Sequence, residues 1–258
     1  MILCDYGRAM RGYCLSLRRT LAIIAFALGL NGAAAQDNAA SPAPSASPSA
    51  SASPSSSPAA GSAASPAPAA SAAPTTLVPL DQLMAQGPLP DLVQGKASAS
   101  VTIIEYASMT CTHCAAFHDT VWPALKTKYI DTGKVKFILR EFPLDPLATA
   151  GFMLARCLGP EKRDGLVDQL FAQQKAWAFG DKPIEALLGI VKQAGMTQID
   201  FETCLKNQEL YDQVNQSRDG AAKNFNIDST PTFFINGRKF NGELAIGEIE
   251  KIIDPLLK

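Results

Sequence analysis

Residues 39–74 are built from alanine, serine, proline and glycine alone, and eight of the 18 prolines in the 258-residue chain lie there. No side chain in that run is larger than proline, so burying it cannot offset an ordering cost of about 1–2 kcal/mol per residue. The run cannot join a core, and a fold has to be sought beside it. Residues 75–258 offer length for one domain of ordinary size.

The segment before the run has the layout of an export signal. Arg8, Arg11, Arg18 and Arg19 precede an apolar stretch at 21–30, which leads through Asn31 and Gly32 to Ala33, Ala34 and Ala35. Charged, apolar and small residues in that order predict a signal peptide at 1–35, cleaved after Ala35. A disordered Ala/Ser/Pro-rich linker at 36–76 and a folded domain at 77–258 follow. The apolar stretch is shorter than the ~20 residues of a membrane span. Arg18-Arg19 also fits a twin-arginine signal, and Met10 serves as a start as well as Met1. Two readings of the linker stand: a tail without a role, or a spacer that tethers the domain to a membrane or cell wall when the signal stays uncleaved.

Lys and Arg number 23 against 24 Asp and Glu, a net charge of −1. The four arginines and Asp5 give the signal +3, which leaves −4 for the remainder. A mildly acidic chain with no basic run argues against nucleic-acid binding. His113 and His118 are the only histidines, too few for a multi-histidine metal centre. Of the six cysteines, Cys4 and Cys14 leave with the signal; both precede its apolar core, whereas a lipid-anchoring cysteine follows it. The four that remain, an even number in an exported chain, predict an oxidising compartment and two pairs.

Residues 101–106 (VTIIEY) are β-branched, aromatic and almost continuously apolar, as in a buried central strand. A helix follows from Cys111 to Tyr129, bent at Pro123, and a second strand occupies 134–140. From 147 to 224 apolar residues recur at three- and four-residue spacing, which predicts several helices broken near Gly159-Pro160, Gly180-Asp181-Lys182-Pro183 and Gly195. Asn236-Gly237 between 231–235 (PTFFI) and 238–240 (RKF) signals a type I′ hairpin, and 247–257 supplies a closing helix. The order gives an α/β sheet, with a parallel pair followed by an antiparallel hairpin and an all-helical insertion at about 147–224.

The strand-to-helix turn carries Cys111-Thr112-His113-Cys114. Cys111 stands at the helix N-terminus, where unpaired N–H groups and the helix dipole favour a negative sulfur. Cys114 lies one turn on, within disulfide reach, so the pair can close to a disulfide or open to a dithiol. A protonated His113 adds a second electrostatic term in favour of the Cys111 thiolate; a solvated turn residue is its other reading. A more stable thiolate stabilises the reduced form and makes the disulfide more oxidising. Structural zinc needs four ligands, and Cys157 and Cys204 stand apart from any second Cys-x-x-Cys, so no metal is expected. His118 reads as a helix-face or groove residue outside the chemistry.

Residues 90–258 resemble the DsbA-type thiol:disulfide oxidoreductases, thioredoxin-fold proteins with a helical insertion, and their alphaproteobacterial branch in particular. The likeness is carried by EYASMTCTHC at 105–114, REFPLDP at 140–146 and STPTFFING at 229–237. It implies that Cys111 is the nucleophile and Cys114 the resolving cysteine. Pro231 would be a cis-proline beside the disulfide, Thr230 would offer main-chain hydrogen bonds to an extended substrate, and Glu105 would be the buried acid that shuttles the proton of Cys114, an edge-facing strand residue being its other reading. Proteins of this branch carry a second, non-catalytic disulfide, assigned here to Cys157 and Cys204; two buried free thiols are the other reading. Met109 and Phe117 are candidates to line a substrate groove, with the core as their alternative place. Thr112 departs from the Pro-His dipeptide common between the cysteines. Thr230 stands where the best-studied oxidases have valine and the isomerases threonine.

The expectation is a periplasmic, monomeric dithiol oxidase that needs no cofactor besides the Cys111–Cys114 disulfide. Its partners would be unfolded exported proteins with free cysteines, and a quinone-linked membrane protein that reoxidises it. A disulfide isomerase or reductase of the same fold is one alternative. A non-catalytic, surface-displayed thioredoxin-like protein is another.

Overall fold

A computed structural model describes residues 76–257 apart from Gln86, so the expected signal and the linker up to residue 75 lie outside the described residues. The chain enters through a short strand β1 (Thr76–Leu77), a single helical turn α1 (Leu80–Leu83) and β2 (Val93–Gln94). Next come β3 (Val101–Ala107), α2 (Thr112–Thr120), α3 (Trp122–Leu125) and β4 (Val135–Glu141). Six helices fill the insertion: α4 (Pro146–Cys157), α5 (Pro160–Ala172), α6 (Gln174–Ala178), α7 (Pro183–Gln193), α8 (Gln198–Leu205) and α9 (Gln208–Phe225). The hairpin β5 (Thr232–Ile235) and β6 (Arg238–Asn241) and the helix α10 (Ile246–Ile253) complete the domain. Thr76, placed by sequence in the linker, already belongs to β1.

The strands form one mixed sheet in the order β1-β6-β5-β3-β4-β2. β3 runs parallel to β4 and antiparallel to β5, as the order of elements predicts. This is the thioredoxin fold with a helical insertion. Every residue of β3 is buried, which its near-continuous apolar sequence requires of a strand covered on both faces. Side chains alternate across the sheet. Ile104 and Tyr106 enter the smaller cluster with Ile138, Phe234 and Ala221 of α9. Val101, Ile103 and Ala107 enter the main core, with Phe117 of α2 and Phe171 of α5. Glu105 falls on this second face, beneath α2.

The hairpin turn places Asn236 and Gly237 at φ 44° and 86°, the left-handed pair of a type I′ turn. At Gly237 any Cβ would lie 2.2 Å from the Val78 carbonyl oxygen, so glycine also lets the β1 segment approach. The helix after Cys111 divides one residue earlier than Pro123 predicts: α2 ends at Thr120, α3 starts at Trp122, and a π-helical turn at Lys126–Ile130 follows. Proline has no N–H for the carbonyl four residues back and its ring clashes with it, so the chain restarts with Pro123 in the first turn of a new helix.

Candidate active site

Two latches from distant parts of the chain shape the turn between β3 and α2. The Thr110 hydroxyl donates to Asp145 Oδ2 at 2.6 Å, while Asp145 Oδ1 caps α4 by accepting from the Ala148 N–H at 2.8 Å. Gln174, buried on α6, donates from Nε2 to the carbonyls of Met109 and Cys111, each at 2.9 Å. The insertion thus holds the main chain on both sides of Thr110.

Cys111 is the N-cap of α2, and its sulfur accepts from the Cys114 N–H at 3.4 Å. Its thiol donates to the Thr230 carbonyl at 3.2 Å, and the Thr230–Pro231 bond is cis. Cys111 and Cys114 are both buried thiols. The Cys111 thiol is lowered to about 6, first by the hydrogen bond from the Cys114 side chain, against the opposing effect of burial. The main-chain N–H groups of Cys114 and His113 lower it further. Cys114 is pushed the other way, well above an ordinary thiol, by burial first, then by its bond to Cys111 and the charge of Glu105. Such a pair can take part in thiol–disulfide exchange, with the first sulfur the better thiolate and leaving group.

The imidazole of His113 is turned outward, where Nδ1 donates to Glu243 Oε1 at 2.6 Å. Its main-chain N–H, rather than its ring, serves the Cys111 sulfur. Thr112 is exposed at the first position of α2. Glu105 is fully buried, and Oε2 accepts from His118 Nε2 at 2.9 Å. His118, read from the sequence as a residue outside the chemistry, therefore touches the buried acid. Cys157 and Cys204 form a disulfide that ties the end of α4 to α8.

Met109 and Phe117 do not line a groove. They are 0% and 1% exposed, and a Cβ at Gly151 would touch Met109 at 3.2 Å and Trp177 at 3.6 Å. Apolar side chains this enclosed contribute packing. Trp177 is core as well, whereas Phe179 is exposed. An open groove of about 700 Å³ does start beside Thr112, between α2 and the α5–α6 junction, lined by Ala115, Ala116, Phe171, Ala172 and Ala176 among others. Gln174, Asp145 and Glu243 were not foreseen from sequence. Asp145 before Pro146 carries an N-cap signal; Gln174 and Glu243 stand in no motif.

A low-pKa sulfur capping a helix, a buried high-pKa partner one turn on and a cis-proline against them define a thioredoxin-like redox protein. The thioredoxin family matches residues 89–255, and the chain belongs to that family. Among DsbA-type proteins it is similar to alpha-DsbA1 of Wolbachia pipientis, at 31% identity and a TM-score of 0.63 over 69% of this chain and 95% of that one. A Rickettsia conorii protein named "Putative protein-disulfide oxidoreductase" is 34% identical over 169 residues, 65% of this chain. The match spans 61% of that relative's length. Oxidised BdbD of Bacillus subtilis, 23% identical with a TM-score of 0.55, shares the fold.

Proposed function

We propose that the protein is a thiol:disulfide oxidoreductase that donates the Cys111–Cys114 disulfide to exported proteins carrying free cysteines. The observation that carries this reading is the Cys111 sulfur capping α2 and meeting the Thr230 carbonyl at 3.2 Å, with the Cys114 thiol buried one turn on; the opposite displacement of the two thiols supports it. A substrate thiolate attacks Cys111, the pair opens, and a mixed disulfide forms with Cys114 as the leaving group. A second substrate thiolate then attacks the substrate sulfur of the mixed disulfide and expels Cys111, whose low pKa makes it a good leaving group. The main chain at Thr230, beside Pro231, would pair with an extended substrate, and the groove beside Thr112 would take flanking side chains. Glu105 would exchange the proton of Cys114. No cofactor beyond the disulfide enters this cycle, and a quinone-linked membrane protein would restore it.

The expected location is the periplasm, after export by the segment at 1–35. Among the described residues no helix is long and apolar enough to cross a membrane. A monomer suffices, because every group used here comes from one chain. Thr230 favours a second reading, an isomerase or reductase kept as the dithiol.

Mixing the oxidised protein with a reduced, unfolded test protein separates these readings. Stoichiometric disulfide formation in the test protein supports the oxidase. Rescue of a scrambled-disulfide protein by the dithiol form, without net oxidation, supports the isomerase instead. Neither activity would return the reading of a binding protein on this scaffold.

A further inference from the structure

His118 lies four residues after Cys114 on α2 and is 7% exposed. Its Nε2 donates to Glu105 Oε2, yet its own Nδ1 and Glu105 Oε1 are buried without a hydrogen-bond partner among the described residues. The ring stacks on Phe171, with centroids 4.2 Å apart and planes at 17°, and Phe117 and Trp122 flank it. A bare buried polar atom is costly, so a residue with only a packing role would be better served by an apolar ring. The same residue also lines a cavity of about 220 Å³ with Asp119, Trp122, Pro123, Asp168 and Ala172.

The titratable groups around His118 come from three elements. Glu105 faces it from β3, Asp168 from α5, and Asp119 adjoins it on α2. Burial raises Asp168 above the ordinary carboxylate range, and the attraction of His118 draws it partly back; Asp164 and Lys126 act on Asp168 in turn. His118 thus stands between the carboxylate that influences Cys114 and a second carboxyl at a cavity wall.

We propose that His118 is a positioning residue that couples the proton of Cys114, through Glu105, to the cavity lined by Asp168. The inference rests on the oxidoreductase reading above. When a substrate thiolate attacks Cys111, the Cys111–Cys114 bond breaks and its electron pair passes to the Cys114 sulfur. That sulfur takes a proton from the Glu105 carboxyl, which becomes a carboxylate. His118 takes a proton at Nδ1 from solvent reaching the cavity and becomes an imidazolium. One proton leaves the pair for the sulfur and one enters it from the cavity, so the net charge of the pair is the same before and after. No unpaired charge is left buried. The steps reverse when Cys114 has to lose its proton and attack.

The test uses the full chain and two variants. His118→Phe keeps the stacked ring without a proton, and His118→Gln keeps a donor to Glu105 without a second exchangeable site. The rate of disulfide transfer from the oxidised protein to dithiothreitol is followed from acid to neutral pH, beside the thiolate titration of Cys111. The expected result is a rate lowered about 100-fold or more in both variants, as for loss of a positioned acid or base, with a changed pH profile and an unchanged Cys111 titration. A wild-type profile in a folded variant overturns the proposal, and so does a uniform loss at every pH, which marks a structural role. If His118→Phe does not fold, the Gln variant decides. Wild-type protein without transfer activity would instead remove the oxidoreductase reading.

Discussion

The main-chain N–H of Cys114 points at the sulfur of Cys111 from 3.4 Å, so the reactive atom is itself the cap of α2. An ionised sulfur accepts that bond better than a thiol does and interacts better with the helix dipole. Reactivity and fold stability are therefore linked through one atom.

The linkage fixes a sign. The Cys111 thiol is lowered from an ordinary 9.0 to about 6 in the folded dithiol. Its contribution to stability is full above the unfolded value, shrinks as pH falls toward the folded value, and is absent below it. Between pH 5 and 7 the unfolding free energy of the dithiol protein should rise by roughly 1 kcal/mol relative to Cys111→Ser. Urea unfolding of the two proteins measures this, and parallel pH profiles would contradict it.

Cys114 supplies the largest lowering influence on Cys111, whereas the His113 ring is engaged with Glu243. Cys114→Ala should therefore raise the Cys111 titration above about 6 by more than His113→Ala does. Thiolate absorbance against pH reads both. Given a peptide disulfide, the Cys114→Ala protein should also accumulate a stable mixed disulfide, its Cys111 thiolate expelling one peptide thiol and no second cysteine resolving the product, visible as added mass.

The Cys157–Cys204 bridge closes a 47-residue span of the insertion. Replacing both with alanine should lower stability by roughly 3–4 kcal/mol in the chain-entropy model. The Cys111 titration should stay where it is, because neither residue touches the redox pair. A displaced titration would show that the bridge also shapes the site.

Gln174→Ala removes one donor shared by two carbonyls of the active-site turn. Leaving them unsatisfied should cost about 1–3 kcal/mol. It should also slow disulfide exchange, because the turn carrying Cys111 loses its tie to α6. Unchanged exchange kinetics in a destabilised variant would limit Gln174 to a structural role.

What the sequence shows of this protein divides by distance along the chain. The helix-capping cysteine, the buried β3 and the I′ turn at Asn236-Gly237 are set by neighbours in sequence, and all are legible there. β1 and β2 have two residues each and owe their pairing to Arg238, Lys239, Phe137 and Ile138, so they leave no periodic signal of their own. Met109 and Phe117 were ambiguous because an apolar side chain fits a groove or a core equally well. Gly151 and Trp177, tens of residues away, settle Met109, and Phe233 at 4.7 Å settles Phe117. The meeting of His118 with Glu105 combines two periodicities, the alternation of β3 and the four-residue return of α2. Each is readable alone, but their product depends on how the helix lies across the sheet.

The reduction potential of the Cys111–Cys114 pair, from equilibration with glutathione, tests the central claim most directly. A thiolate stabilised to the degree seen at Cys111 predicts a disulfide well above the roughly −270 mV of thioredoxin. A value at or below that level would contradict the account and make the protein a reductant.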